Sequence, residues 1–409
     1  MRTWIMETAG GLPRKFWFLW TGNLVNRSGG FVAILLTFYL HSNRGFSAVV
    51  VGLTIGLMAA GGSVGTVIGG ELADRWGRRK SLLVAQLGAV IMLLGLGFSH
   101  EQTLIMVSAF LLGLVLSMAR PAFSAMMLDI VPEKDRSRAF SLNYWSNNLA
   151  FSIAALLGSV VANLGYTAVF VVDAATTLLA AILIYTNVPE SKPTRNRAAA
   201  AERKSLKDNP LRDRVFLGLC LVAILQSAIF VQYQSTLPLS MQQDGLLPHT
   251  YGAVISLNAI MIVCGQLFVP RLLRGRQDTQ VLTFSALLIG VGFGLTAFAQ
   301  NVWFYGITVA IWTVGEMLQS PTQSTLLASL CPPHARGRYL AAYSFSLSAA
   351  AVVVPPMSGY VMDHYGSTVI WIGCFIGGIV VALFTFILGP SRFRRMVELK
   401  AHNLEASSA

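Results

Sequence analysis

The stretch "GGELADRWGRRKSLL", residues 69–83, decides how the rest of the chain reads. It sets Arg75, Arg78, Arg79 and Lys80 beside Glu71 and Asp74, between two apolar runs at 48–70 and 81–98. Such a density of charge belongs in water, while runs of about 20 apolar residues have the length that crosses roughly 30 Å of hydrocarbon as a helix. Outward from this loop the alternation continues to both ends. Further apolar runs lie near 16–40, 103–127, 139–163, 167–187, 215–239, 250–270, 280–299, 302–327, 339–361 and 368–388, twelve in all. Of the 409 residues 54% are hydrophobic and 12% charged, with a mean hydropathy of +0.61. Soluble domains carry about a quarter charged residues, so a polytopic membrane protein is expected.

A net charge of +12 raises the possibility of a nucleic-acid binder, and the placement of the charges excludes it. Twenty-seven of the 30 Lys and Arg fall at the N-terminus, in the C-terminal tail and in the loops after even-numbered spans, as in "PEKDRSR" and "RLLRGRQ". Only Arg44 lies in a loop of the other set, with Arg27 and Arg120 inside spans. That bias is the positive-inside rule, which puts both termini in the cytoplasm of a multi-pass protein of the plasma (inner) membrane. The first run is too long for a signal-peptide core and is expected to stay as a span. The four cysteines are scattered singly, without metal or redox spacing, and no cofactor is expected.

One constant shift lays the second half on the first without a gap. Arg14 meets Arg214, Gly52 meets Gly252, Gly65 meets Gly265, Pro121 meets Pro321, and Arg136 and Arg138 meet Arg336 and Arg338. Six spans per half, an even number, give both halves the same orientation. The expected fold is therefore an all-α membrane protein: twelve transmembrane helices in two six-helix bundles, related by a pseudo-twofold axis along the membrane normal. The bundles are residues 1–187 and 215–388. Between them residues 188–214, with eight basic residues and three prolines, read as a cytoplasmic linker, with a short helix around "AAAAERKSLK". Residues 389–409 read as a cytoplasmic tail.

The loop at 69–83 resembles the signature G-x-L-A-D-R-x-G-R-R/K of the major facilitator superfamily, with Gly70, Leu72, Ala73, Asp74, Arg75, Gly77, Arg78 and Arg79 at its positions. Together with the twelve spans and the repeat, the likeness covers nearly the whole chain. It implies that Gly70, Asp74, Arg75, Gly77, Arg78 and Arg79 form a gate that latches the cytoplasmic side in one state, rather than a substrate site. On physical grounds Gly77 permits a tight turn and Gly70 a close helix approach, and Asp74 can accept from arginines or from a helix N-terminus of the other half. The matching loop "VPRLLRGRQDTQ" has Arg274 where Asp74 stands. Two motifs of the drug exporters are incomplete: Ala109 stands where they often have an arginine in span 4, and "AFSIAALLGS" keeps one glycine of their span 5 pattern. In the second span Gly52, Gly56 and Ala60, then Gly61, Gly65 and Gly69, recur at four-residue spacing, which suits a sliding interface between the halves.

Arg27 lies about eleven residues past the basic end of span 1, or roughly 17 Å along a helix. Asn23, Asn26 and Gly30 share its face. Glu316, at a similar depth in span 10, is the acid nearest the middle of any span, and Gln319 and Gln323 extend its face. Intramembrane charges are costly and mark function, so Glu316 is expected to carry the coupling proton, with Arg27 as its balancing charge or as a contact to an anionic part of the substrate. Gln226, Tyr233 and Asn147 are placed on the same cavity, as is Arg120, which lies about eight residues from the cytoplasmic edge and is shallow enough to snorkel as a helix anchor instead. A static pair of Glu316 with Arg27 or Arg120 is the structural alternative.

These residues predict a secondary active transporter working by alternating access, proton-coupled, exporting drug-like or amphipathic small molecules as a monomer, with small-molecule substrate, protons and bilayer as its partners. Proton-coupled uptake or facilitated diffusion of a polar metabolite is the alternative, and a non-transporting sensor a remote one. No P-loop and no convergent nucleophile, base or metal set points to an enzyme.

Overall fold

Apolar runs of this length must satisfy their backbone internally in hydrocarbon, and they do so as helices. The structure, a computed structural model, describes residues 10–190, 209–266, 268–332 and 335–408. Among these no strand occurs. The principal helices are α1 (Arg14–Ser28), α2 (Val32–Phe38), α3 (Ala48–Trp76), α4 (Arg78–Phe98), α5 (Gln102–Ile130), α6 (Arg136–Ala162) and α7 (Tyr166–Asn187). They continue with α8 (Arg214–Phe230), α9 (Gln232–Gln243), α10 (Pro248–Gly265), α11 (Asp278–Leu295), α12 (Val302–Leu330), α13 (Arg336–Tyr365), α14 (Ser367–Ile387) and α15 (Gly389–Ser408). Ten membrane-crossing candidates, by length and composition, are found among the described residues.

The two predicted spans outside that set are informative. The run at 302–327 forms α12, a single 29-residue helix whose apolar character is diluted by Glu316, Gln319 and Gln323. The run at 16–40 is broken: α1 ends at Ser28 and α2 begins at Val32. Two successive glycines weaken the helix there. Gly29 is also required by packing, since a Cβ at that position would lie 1.8 Å from the Thr176 hydroxyl on α7. The freed backbone N–H of Val32 donates to Asp173 Oδ2 at 3.1 Å, so α7 caps the second half-helix. The seventh predicted span breaks in the corresponding place, at Val231 between α8 and α9.

Helix starts at Arg14, Ala48, Arg78, Gln102 and Arg136 recur, at the offset of the sequence repeat, as Arg214, Pro248, Asp278, Val302 and Arg336. Packing follows the same offset. In the first half α3 packs on α5, α4 on α5 and α7, and α1 on α6 and α7. In the second half α10 packs on α12, α11 on α12 and α14, and α8 on α13 and α14. The halves meet where α3 packs on α13 and α6 on α10.

The glycine stripes of α3 divide their work between two partners. Gly52 and Gly56 face α13, as an interface between the halves requires, and a Cβ on Gly52 would lie 2.2 Å from the Pro355 carbonyl oxygen. Gly61, Gly65 and Gly69 instead press on the α5 backbone at Phe110, Leu114 and Met118, inside one half, which corrects their assignment to a sliding interface. A Cβ on Gly70 would meet nothing within 4 Å, so the close approach expected there is not made in this structure. Gly77 does turn the chain, at a φ of 104°.

The expected helix around "AAAAERKSLK" lies outside the described residues. The tail is itself helical. On α15 the buried Arg392 donates to the Thr385 carbonyl, and Arg395 pairs with Asp213 at 3.4 Å, tying the tail to the start of α8.

Candidate functional site

Polar side chains on the faces of α1, α5, α6 and α7 converge on a cavity of about 720 Å³. Its wall includes Asn23, Asn26, Arg27, Gly30, Arg120, Asn143, Asn147, Asp173 and Gln234. The three-and-four spacing of Asn23, Asn26 and Arg27 does place them on one face. Asn23 donates from Nδ2 to Asn143 Oδ1 at 3.1 Å and to Asn147 Oδ1 at 2.9 Å, and its own Oδ1 accepts from Arg27 Nε at 3.3 Å. Asn26 donates to Thr177 Oγ1 at 3.1 Å. An asparagine network held on two helices thus fixes the root of the Arg27 guanidinium and leaves its fork turned to the cavity.

Glu316 lies in a second, smaller pocket of about 360 Å³, built from α8, α12 and α13 and lined by Gln226, Gln319, Ser320, Gln323 and Tyr343 among others. Its Oε2 accepts from Asn258 Nδ2 at 2.8 Å, and the same amide also bonds Thr313 Oγ1 at 3.0 Å. Gln319 donates to Gln323 at 2.6 Å, and Gln323 in turn to the Tyr343 hydroxyl. Gln226, 6% exposed, lines this pocket, and its Nε2 has no partner among the described residues. Tyr233 lines neither cavity directly. Its ring stacks on Trp312 at 6.3 Å, against Phe230 of the pocket wall.

Arg27 and Glu316 therefore sit in different cavities, and among the described residues no ion pair joins Glu316 to Arg27 or Arg120. Asp173 is the functional candidate that sequence reasoning misses. It is 6% exposed, lines the larger cavity and holds the broken first span. Its signal in the sequence is that of a lone acid within the apolar run at 167–187.

The larger cavity runs from Leu82 and Ile184, toward the end carrying the basic loops, to Leu36 and Thr37 at the far end. There the halves are joined. Thr37 Oγ1 donates to the Gln234 carbonyl at 2.7 Å, Phe38 and Tyr251 pack with ring centroids 5.4 Å apart, and Gly252 of α10 is pressed against Ala155 and Ser159 of α6. Asp363 of α13 accepts from the first N–H groups of α3, Ala48 at 3.1 Å and Val49 at 3.0 Å.

At the basic end the signature residues bond within their own half. Arg78 pairs with Asp129 at 3.2 Å, and Arg75 with Glu71 at 2.5 Å. Arg79 donates to the Tyr185 and Val188 carbonyls, each at 3.2 Å, while Glu190 caps the start of α4 through the N–H groups of Arg79 and Lys80. Asp74 is exposed, with no hydrogen bond or ion pair among the described residues.

Comparison with known proteins agrees with this geometry. The sequence model of the Major Facilitator Superfamily matches residues 19–355 and 279–407. Multidrug resistance protein MdtH of Aeromonas salmonicida is 26% identical over 87% of this chain and 88% of its own length. A Na(+), Li(+), K(+)/H(+) antiporter of Planococcus maritimus is 26% identical over 76% of this chain and 81% of its own. Among solved structures, a POT family transporter in complex with 5-aminolevulinic acid superposes with a TM-score of 0.79 at 14% identity, covering 93% of this chain and 97% of that one. A D-xylose-proton symporter gives 0.73 at 18% identity, covering 92% and 98%. At such identities the solved structures speak for the fold alone.

Proposed function

The chain belongs to the major facilitator superfamily of membrane transporters, which are not enzymes, and from that membership we propose a proton-coupled secondary active transporter that exports drug-like or amphipathic small molecules. Two six-helix bundles, residues 1–187 and 215–388, rock about the cavity, with the basic end in the cytoplasm by the positive-inside rule. The recurrence of helix starts and packing pairs at one constant offset supports this division.

The observation that carries the reading is Glu316, a carboxylate with one amide partner and, among the described residues, no cation partner, set in a polar pocket beside a cavity closed at one end. Left charged inside a membrane it costs several kcal/mol, so it takes up a proton when its pocket is dry and releases it when water returns. Coupling follows if solute and proton prefer different states of the two bundles. Relatives named as multidrug resistance and cation/H(+) antiport proteins favour export by exchange with protons. A second reading, uptake or facilitated diffusion of a polar metabolite, draws on the amide-rich wall of Asn23, Asn26, Asn143 and Asn147.

Proteoliposomes with an imposed pH gradient test both. Wild type should couple movement of an amphipathic solute to proton flux, and Glu316→Gln should abolish that coupling by at least tenfold while still binding solute. Coupled flux at the wild-type rate from Glu316→Gln would overturn the role of Glu316, and solute movement without proton movement in either protein would favour the facilitator.

A further inference from the structure

The larger cavity contains a charge arrangement that proton coupling at Glu316 does not use. Arg27 on α1 and Arg120 on α5 both line it, and both are exposed. Arg27 spends one N–H on Asn23, and its two terminal nitrogens have no bond among the described residues. Arg120 has none at all there. Each guanidinium carries five N–H donors in a planar fork, so nearly all of this donor capacity is unspent.

Among the described residues no carboxylate pairs with either arginine. Asp173 is the one described carboxylate of the cavity wall, and it is engaged with the Val32 N–H at the break in span 1. Glu316 sits in the other pocket. Two like charges lining one cavity repel, and an anion entering between them relieves that repulsion. Arginine suits that task, because its fork matches the two oxygens of a carboxylate, sulfonate or phosphate. The Asn23, Asn143 and Asn147 network holds the Arg27 fork in place before any solute arrives, which lowers the cost of ordering it on binding. The same cavity wall carries Ile55, Met58, Leu116, Phe123 and Phe151, a surface for an apolar body.

We propose that Arg27 and Arg120 form an anion-binding subsite and that the transported solute is an amphipathic organic anion, its oxyanion group between the two guanidinium groups and its apolar body against those side chains. The proposal deepens the transport reading and rests on it. Of the two roles expected of Arg27, it takes contact with the solute rather than neutralisation of Glu316.

The test is calorimetric titration of the full chain in phosphatidylcholine nanodiscs, which supply no net-anionic headgroup, with naphthalene-2-sulfonate and, separately, tetraphenylphosphonium. The variants are Arg27→Gln, Arg120→Gln and Arg27→Lys, each checked for a wild-type melting curve. Wild type should bind the sulfonate, more weakly as salt rises. Either Gln variant should weaken that binding at least tenfold, Arg27→Lys should retain part of it, and phosphonium binding should not fall in any variant. No sulfonate binding by wild type, or equal affinity in folded Gln variants, would overturn the subsite. Counterflow in proteoliposomes separates the two readings. Sulfonate binding without flux would sink transport and leave the subsite standing, whereas phosphonium flux with no binding of or competition by sulfonate would sink the subsite and leave transport.

Discussion

The two ends of α3 present the same chemistry in opposite conditions. At the start of the helix Asp363 from the other half sits on the N–H groups of Ala48 and Val49, with Gly52, Gly56 and Gly359 letting the backbones of α3 and α13 touch. Near its end Asp74 has no partner among the described residues, and Gly70 has no neighbour within reach of a Cβ. A carboxylate poised over a helix N-terminus is a weak, reversible clasp, because anion and helix end attract without being bonded into one rigid unit. Under the proposed alternating access, one such clasp at each end, engaged one at a time, would hold the two closed states in turn. In this structure the far end is engaged and the basic end is free.

The largest expected effect comes from forcing the engaged end apart. Gly52→Ala puts a Cβ 2.2 Å from the Pro355 carbonyl oxygen, where only backbone can give way. Overpacking of this kind costs about 1–3 kcal/mol, so the population closed at the far end should fall roughly tenfold. Spin labels at His100 and Gln300, both exposed at that end, should move apart and flux should drop with them. Unchanged label distances would mean that the α3 and α13 contact does not define the state. Next in size is Asp363→Ala, which strips the acceptor from two N–H groups at the start of α3. An exposed cap is worth about 1 kcal/mol, and the same label distance should shift by about a fivefold change in population. Asp363→Asn, retaining one oxygen, should fall between it and wild type.

Much of the frame behind these tests is legible in the sequence. The helices and the repeat follow from hydropathy and from the spacing of Gly, Pro and Arg, because hydrocarbon leaves the backbone no alternative. Helical spacing alone assigns Asn23, Asn26 and Arg27 to one face, and the structure sets them together on the cavity wall. Partners across the chain are not legible in the same way. Which of Glu316, Arg27 and Arg120 meet depends on how α12 stands relative to α1 and α5, a matter of packing between segments far apart in sequence. The break at Gly29 and Gly30 is hidden because broken helices keep their hydropathy, and Asp173 is missed because its partner is a backbone N–H that exists only where the helix stops. The stripe of Gly61, Gly65 and Gly69 carries the spacing of a helix contact without saying which helix, and the answer is α5, in the same half.

The smallest structural effect, and the sharpest use of the comparison, belongs to the free end. Asp74→Asn removes a charge that bonds nothing described here, so melting should stay within about 0.5 kcal/mol of wild type, as for an ordinary surface change. Turnover should nonetheless fall several-fold, because the state closed at the basic end would lose its clasp, and spin labels at Lys80 and Arg276 should report that state less often during transport. Gly70→Ala extends the logic. Its Cβ has open space in this structure, so it should leave both melting and the far-end distances unchanged, in contrast to Gly52→Ala. Any loss of flux from it must then arise in the state where the basic end closes and α3 is brought against the other half. If Gly70→Ala is silent in flux as well, Gly70 stays open in both states and closure at the basic end rests on Asp74 without a glycine contact. If Asp74→Asn lowers melting and turnover together, the aspartate is a packing residue and the two ends of α3 are not counterparts.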